Sequence, residues 1–320
     1  MTLTAPPQTS INEVRVAPKK PTRQRKRNQA ASTRTLISAV DLNRHRVAYV
    51  VTVTITLALF TAAFLFPLYW MASSAFKTPV EFAQTPPTLV PHSFHPENYS
   101  DAWTSMQIGK FFLNTVFYAF GGWLIQLTFD VGVAYALSKL KPIFGKIVLG
   151  AMLASLMLPA AALLVPAYLT VSDVPLFHVN LLNTPWALWL PAAANAFNIY
   201  VLKRFFDQIP DDLLDAAAID GAGRLRVLRS IVLPLSRPVL GVVSIFAIIG
   251  IWKDFLWPLL VITDPEKQPL SVRLPVLANL IELDVLLAAL FISTIVPILL
   301  FLVFQRLFLR SAGLGGAVKG

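Results

Sequence analysis

Hydrophobic residues fill long stretches of this chain in which charged side chains are nearly absent. Asp130 is the one charge in the second stretch, and the adjacent Lys253 and Asp254 are the only charges in the fifth. A helix needs about 20 mostly apolar residues to cross a bilayer. Each stretch holds one such helix and none holds two, so the pattern predicts an all-α polytopic membrane protein with six transmembrane helices. The stretches are residues 47–76, 111–138, 147–172, 174–202, 238–263 and 285–305.

The composition agrees with this class. Hydrophobic residues make up 56% of the 320 residues and charged residues 14%, whereas a soluble domain carries charge at about a quarter of its positions. The chain has no cysteine, which excludes disulfides, thiolate metal sites and cysteine nucleophiles.

The formal net charge of +10 is unevenly distributed between the two sides of the predicted spans. One side, with both termini and the segments after spans two and four, carries 22 Lys and Arg residues, and the other side carries four. Because cytoplasmic flanks hold the excess of Lys and Arg, we expect both termini in the cytoplasm. The basic excess is thus mainly a topology signal of a multi-pass membrane protein.

Residues 1–46 are polar and basic, and include "KKPTRQRKR". They are too long and too polar for a signal peptide, so we expect a disordered cytoplasmic tail attracted to anionic lipid headgroups. An RNA-binding role stays open, but no interleaved aromatic residue supports it. The loop of residues 77–109 contains five prolines and is either an ordered surface for a partner or a stiff connector; these are Pro79, Pro86, Pro87, Pro91 and Pro96.

Enzymatic motifs are missing from the sequence. Gly145-Lys146 is the nearest approach to a phosphate-binding loop, but it lacks the earlier Gly and the following Ser or Thr. The four histidines do not cluster with carboxylates at metal-ligand spacing. We therefore predict a transporter component and no enzyme, with energy from an ion gradient or from a separate ATPase.

The segment "LLDAAAIDGAGRLRVLRSIVLPL", residues 213–235, is small, charged and punctuated by glycine between two apolar stretches. Pro210 followed by two aspartates predicts a helix start, and Asp220-Gly221 predicts its end. A second helix is expected from about Arg224. Its predicted apolar stripe consists of Leu225, Leu228, Val232 and Leu235.

The first of these two helices has a face suited to insertion in a partner's groove. Three consecutive alanines allow close approach of another surface, and Asp215 and Asp220 provide charges at a rim. The side chains expected to fill the groove are Leu213, Leu214 and Ile219. The alternative is an amphipathic elbow on the membrane surface.

Residues 215–238, "DAAAIDGAGRLRVLRSIVLPLSRP", resemble the EAA signature loop of bacterial ABC importer permeases, with Asp215 in place of the usual Glu. The stretches "FPLYWMASSAFKTPVEF" and "WKDFLWPLLVIT" are similar to the sugar-transporting branch, and the best resemblance is to the smaller, maltose-type permease subunit. The resemblance implies a MetI-like permease fold for residues 47–308, with a coupling loop at 205–238. Residues 309–320 are similar to a Gly-rich cytoplasmic tail that reaches the ATPase interface; a frayed terminus is the alternative.

The resemblance also implies a bacterial inner or plasma membrane location, and it implies partners. They are a second homologous permease, two ABC ATPase subunits that use ATP and magnesium, and an extracellular sugar-binding protein; this chain itself binds no cofactor or nucleic acid. Leu233, Pro234 and Pro238 are implied to support the loop. The implied ATPase-coupling residues are Asp212, Leu213, Leu214, Asp215, Ala216, Ala217, Ala218, Ile219, Asp220, Gly221, Ala222 and Gly223.

Charged residues within predicted spans are costly and often mark a solute path. We predict contacts with the pathway or with the partner permease, and a possible pairing of Asp130 with Lys253. Interhelical packing and a local Lys–Asp pair are the alternatives. The residues concerned are Asp130, Trp252, Lys253, Asp254, Phe255 and Trp257.

Two other functions are alternatives to the ATP-driven sugar importer. An ion-coupled secondary transporter acting without an ATPase predicts an intramembrane carboxylate relay or inverted repeats with broken helices. A structural membrane scaffold leaves the signature loop unexplained.

Overall fold

A computed structural model describes residues 46–314 of the chain, with side chains through Val303 and at Gln305. The predicted basic tail, apart from Arg46, and the last residues of the Gly-rich tail lie outside the described residues. The helices are α1 (Arg46–Ser74), α2 (Pro79–Phe82), α3 (Glu97–Ser105), α4 (Ile108–Tyr135), α5 (Gly145–Ser155), α6 (Ala160–Ser172), α7 (Trp186–Ala192), α8 (Ala196–Asp207), α9 (Asp211–Ile219), α10 (Arg224–Val227), α11 (Leu233–Leu235), α12 (Arg237–Lys253), α13 (Leu256–Val261), α14 (Leu270–Leu277) and α15 (Leu283–Leu314).

Two further segments are π-helical. Ala136–Leu140 continues α4, and Leu228–Val232 joins α10 to α11. An isolated bridge between Val174 and Val179 is the only β pairing among residues 46–314.

Three described helices are long and apolar enough to cross a membrane: Val47–Ser74, Ile108–Leu140 and Leu283–Val303. Two bent pairs meet the same test, Gly145–Ser155 with Ala160–Ser172 at 110° and Arg224–Leu235 with Arg237–Lys253 at 84°. Residues 46–314 thus supply up to five spans by length and composition. The fourth predicted stretch, residues 174–202, is divided between α7 and α8, and the count of six stays a prediction.

The chain divides within α1 into two units, residues 1–64 and residues 65–320. In the second unit α4 is the central helix, because α12, α8 and α7 all pack against it. The main core cluster of this unit includes fully buried side chains from three parts of the chain: Ala134, Ile199, Leu202, Phe206 and Val232. Burial of such side chains stabilises each by about 1.5–3 kcal/mol. This cluster joins the end of α4 to α8 and to the segment after α9.

The predicted apolar stripe Leu225, Leu228, Val232 and Leu235 is wrong in part. Leu225 is 58% and Leu235 49% exposed, whereas Val232 is fully buried and Val227 nearly so. The π-helical segment Leu228–Val232 lies within this stripe. In a π-helix each backbone amide bonds to the carbonyl five residues earlier. This widened turn shifts the side-chain register, so an ordinary helical period fails across it. Helix α15 continues to Leu314, within the predicted Gly-rich tail of residues 309–320.

The loop of residues 77–109 is held by a buried group of charged and polar side chains. The ammonium of Lys77, a residue only 2% exposed, donates to the backbone oxygen of Thr88. The carboxylate of Glu81, 4% exposed, accepts from Thr88 Oγ1 at 2.8 Å and from the backbone amide of His92 at 3.0 Å. Because buried polar groups are costly when unpaired, these bonds fix the path of the loop over α2.

This group makes the loop sensitive to acid. Burial raises the pKa of Glu81, but the hydrogen bonds from Thr88 and His92 and the nearby charges of His92 and Lys77 lower it more, so the net pKa lies below its usual range. A depressed pKa stabilises the fold above the unfolded value of about 4.3, and this contribution is lost as the pH falls through the folded value.

We expect Glu81→Gln to lower the protection of residues 77–105 at pH 7 by about 1–3 kcal/mol, because the buried negative charge that strengthens the bonds from Thr88 and His92 is lost. Hydrogen–deuterium exchange, corrected for the intrinsic effect of pH, measures this protection. Wild-type protection should fall below about pH 4, and the variant should lack that fall. The exposed Glu282→Gln serves as the control. Equal protection of both variants at pH 7 would contradict the role of Glu81.

Candidate functional site

Helix α9 begins and ends where the sequence predicts. Pro210 is the N-cap, and Asp211 and Asp212 lie in the first turn, where the partial positive charge of the helix start favours carboxylates. Gly221 follows the helix with φ of 76°, a left-handed conformation that glycine adopts without strain.

The end of α9 is closed by backbone bonds. The amide of Gly221 donates to Ala218 at 3.0 Å, and that of Ala222 donates to Ala217 at 2.9 Å. This Schellman-type pattern satisfies carbonyls that the last turn would otherwise leave free. A Cβ built on Gly221 meets no atom within 4 Å, so the requirement for glycine comes from its backbone angle and not from crowding.

Helix α9 has an inner and an outer face. Leu214, Ala217 and Ala222 pack against the core cluster, so the expectation that Leu214 fills a partner's groove is corrected: it contacts this chain's own core. Leu213 is 46% and Ile219 87% exposed. The other exposed residues of the predicted coupling set are Asp212, Asp215, Ala216, Ala218, Asp220, Gly221 and Gly223. The outer face is therefore a small apolar surface ringed by aspartates.

The start of α9 is bonded to the π-helical segment that continues α4. The ammonium of Lys139, whose side chain is 5% exposed, donates to Ile209 O and to Asp211 Oδ1, both at 2.7 Å. Lys141 lies 3.6 Å from the second oxygen of Asp211. The hydrogen bond and charge of Lys139, with the charge of Lys141, hold the pKa of Asp211 below its usual range.

The segments on either side of α9 are bonded to the same helix end. Ser138 Oγ donates to Asp207 Oδ1 at 2.7 Å, just before α9, and the Tyr135 hydroxyl donates to Arg224 O at 3.0 Å, just after it. We call Tyr135, Ser138 and Lys139 the clamp. Sequence reasoning missed it, since "AYALSKLK" has suitable donors but nothing in the sequence identifies acceptors about 70–90 residues away.

The predicted loop-support residues lie at the bend after α9. Leu233 packs against the core cluster, Pro234 lies in α11, and Pro238 lies in the first turn of α12. Ser236, fully buried, separates α11 from α12. Proline tolerates these positions because the first helical residues need no amide partner.

The predicted pairing of Asp130 with Lys253 is wrong. Asp130 is fully buried and accepts from the backbone amide of Asn195 at 2.9 Å, while Lys253 is exposed, and no described ion pair joins the two. The break between α7 and α8 leaves the Asn195 amide without a helical partner, and the carboxylate satisfies it.

The aromatic residues near Lys253 differ in their surroundings. Trp252 is 8% exposed and packs edge-on against Phe112, with 5.6 Å between ring centroids. The indole of Trp257 donates to Ala187 O at 3.0 Å, and Phe255 is 40% exposed. Packing thus accounts for Trp252, whereas Asp254 and Trp257 line cavities.

The chain is similar to known proteins over more than half of its length. A sequence model of the family described as "binding-protein-dependent transport system inner membrane component" matches residues 131–313. The diacetylchitobiose uptake system permease protein NgcG of Streptomyces coelicolor is 34% identical over 263 residues, which cover 80% of this chain and 84% of that protein. Protein LplC of Bacillus subtilis is 31% identical, over 79% of this chain and 89% of that protein.

The fold also has a solved counterpart. A chain from the crystal structure of a bacterial ABC transporter involved in the import of the acidic polysaccharide alginate superposes with a TM-score of 0.72 and is 23% identical. The match covers 85% of this chain and 99% of that chain. At this identity the likeness is one of fold.

The clamp predicts that Lys139→Met loosens α9. The change leaves the partly buried backbone oxygen of Ile209 without its donor, at a cost of about 1–3 kcal/mol, and it removes the ion-pair partner of the exposed Asp211. Exchange of the amides of residues 211–222 should therefore be about tenfold faster or more. Lys146→Met, at an exposed lysine outside the described ion pairs, is the control. Unchanged exchange in α9 would show that Lys139 does not hold this helix.

Proposed function

The chain belongs to the family of binding-protein-dependent transport system inner membrane components, and we propose that it is the permease subunit of an ATP-driven carbohydrate importer. As a member of this family it is a multi-pass membrane transport component and not an enzyme. The relatives support a carbohydrate substrate, because one is named for diacetylchitobiose and another, from Bacillus subtilis, for polygalacturonan and rhamnogalacturonan.

The proposed assembly contains four kinds of component. A second homologous permease completes the pathway, two ABC ATPase subunits bind ATP and magnesium, and an extracellular binding protein delivers the sugar. The distribution of Lys and Arg supports a bacterial inner membrane location with α9 and both termini in the cytoplasm.

The outer face of α9 is the proposed seat for an ATPase subunit. Its exposed Leu213 and Ile219 suit an apolar cleft, and Asp212, Asp215 and Asp220 suit basic groups at the rim of that cleft. This face carries the proposal, because it combines two exposed apolar side chains, one of them the 87% exposed Ile219, with three exposed aspartates on one short helix.

In the proposed mechanism the clamp transmits movement from α9 to α4. When the ATPase subunits close, α9 is displaced, and bonds before, at and after α9 pass the displacement to α4. Because α12, α8 and α7 pack against α4, the displacement reaches the centre of the second unit. Switching between inward-facing and outward-facing states then follows as a rigid-body motion. ATP and the binding protein drive it only if each prefers one state.

The importer predicts strict dependence on ATP. Uptake of saccharide by the reconstituted complex should be lost when ATP is omitted or when the ATPase subunits are left out, and collapse of ion gradients by ionophores should leave it unchanged. Radiolabelled uptake into proteoliposomes measures this. Ion-driven uptake without ATP would instead support the secondary-transporter alternative.

The docking role predicts that Ile219→Asp weakens binding of the ATPase subunits. In the proposed complex Ile219 is buried in the ATPase cleft, and loss of that burial costs about 1.5–3 kcal/mol, or roughly 10- to 100-fold in affinity. The side chain is exposed here, so the permease itself should fold. Co-purification and titration of purified ATPase subunits give the affinity. Leu280→Asp, at another largely exposed position, 77% exposed, is the control, and equal affinities for both variants would exclude α9 as the seat.

A further inference from the structure

The fourth apolar stretch is interrupted in its middle. Helix α7 ends at Ala192 and α8 starts at Ala196, and the Asn195 side chain caps α8 by accepting from the Asn198 amide at 3.0 Å. Non-helical backbone at membrane depth is tolerated only where it is buried in protein or lines an aqueous cavity. The break must therefore be buried in protein or adjoin an aqueous cavity.

Such a space is present. A cavity of ≈ 430 Å³ adjoins the break, and its polar lining consists of Gln126, Asn195, Asn198 and Asp254. A second cavity of ≈ 240 Å³ contains Tyr118 and Trp257. Both include Ile251 and Asp254 in their linings, so they adjoin one another. Sites for small molecules occupy about 300–1,000 Å³.

The lining matches a neutral, hydroxyl-rich solute. Side-chain amides both donate and accept hydrogen bonds, as hydroxyl groups require, and the walls include the aromatic rings of Phe197, Phe246 and Trp257. Among the residues that line the two cavities in the described chain, none is Lys or Arg. A uronate or phosphate would meet the carboxyl of Asp254 with no cation to balance it.

We propose that these adjoining cavities form a subsite for a neutral saccharide in the translocation path of this subunit. The inference rests on the proposed function and adds to it both the place of contact and the charge of the solute. Asp130 has a positioning role, since it bonds the Asn195 amide and so fixes the break on which Asn195 and Asn198 are placed.

Gly250 offers a direct test, because it lines the larger cavity and a Cβ built on it meets no atom within 4 Å. Gly250→Leu fills the cavity with an apolar side chain and keeps α12 helical, since leucine is the better helix former. Gly132→Leu is the matched control. Gly132 is also helical, a Cβ there also meets nothing within 4 Å, and it does not line either cavity.

The experiment uses the complete transporter in proteoliposomes with three kinds of probe: neutral disaccharides including N,N′-diacetylchitobiose, digalacturonate, and glycerol 3-phosphate. Uptake is measured beside ATP hydrolysis in the presence of the binding protein. We expect Gly250→Leu to lower uptake of the neutral saccharide at least tenfold with unchanged ATP hydrolysis. Gly132→Leu should match the wild type in both.

The other outcomes separate the two proposals. Uptake by Gly250→Leu equal to that of Gly132→Leu overturns the subsite, and so does a parallel loss of uptake and ATP hydrolysis, because leucine then blocks the conformational cycle. A wild-type complex that prefers digalacturonate overturns the neutral subsite and leaves an ATP-driven carbohydrate importer in place, whereas one that prefers glycerol 3-phosphate overturns both. ATP-driven uptake restricted to a non-carbohydrate solute overturns the proposed function itself.

Discussion

The hydrogen bonds between the end of α4 and the segments around α9 are the contacts on which the account depends. Lys139 binds the start of α9 through two acceptors, while Ser138 and Tyr135 bind the chain before and after it. The Lys139 side chain is itself 5% exposed, and its bond to the backbone oxygen of Ile209 is partly buried, whereas its partner Asp211 is exposed to solvent. A helix with an exposed outer face is thereby attached to the centre of the fold, which is what transmission of force requires.

A second constraint acts within the apolar stretches, where backbone groups cannot turn to water. The break between α7 and α8 meets it in two ways. The carboxylate of Asp130 satisfies the Asn195 amide, and polar side chains and a cavity surround the rest of the break. The same requirement thus explains why a buried aspartate lies in α4 and why the space beside it is polar. The proposed coupling helix and the proposed solute path are linked because residues of both contact α4 or the segment that continues it.

Local signals were sufficient for α9 and insufficient for its attachments. Pro210, the aspartates and Gly221 act on their own neighbours, so the helix bounds follow from the sequence. The clamp joins residues about 70–90 positions apart, and one sequence does not reveal such pairs. The π-helical segment after α10 shifts the side-chain register, so the predicted apolar stripe of residues 225–235 was wrong in part. The Asp130–Lys253 pairing failed because a backbone amide, which no side-chain pattern displays, is the partner.

The most direct test of the account is the structure of the assembled transporter, determined by cryo-electron microscopy with and without bound ATP. The account predicts that the outer face of α9 lies in a cleft of an ATPase subunit in both states. It also predicts that the bonds from Lys139 to Ile209 and Asp211, and from Tyr135 to Arg224, persist while α4 and α9 move together. An α9 exposed to solvent in both states, or one that moves while α4 stays in place, would contradict it.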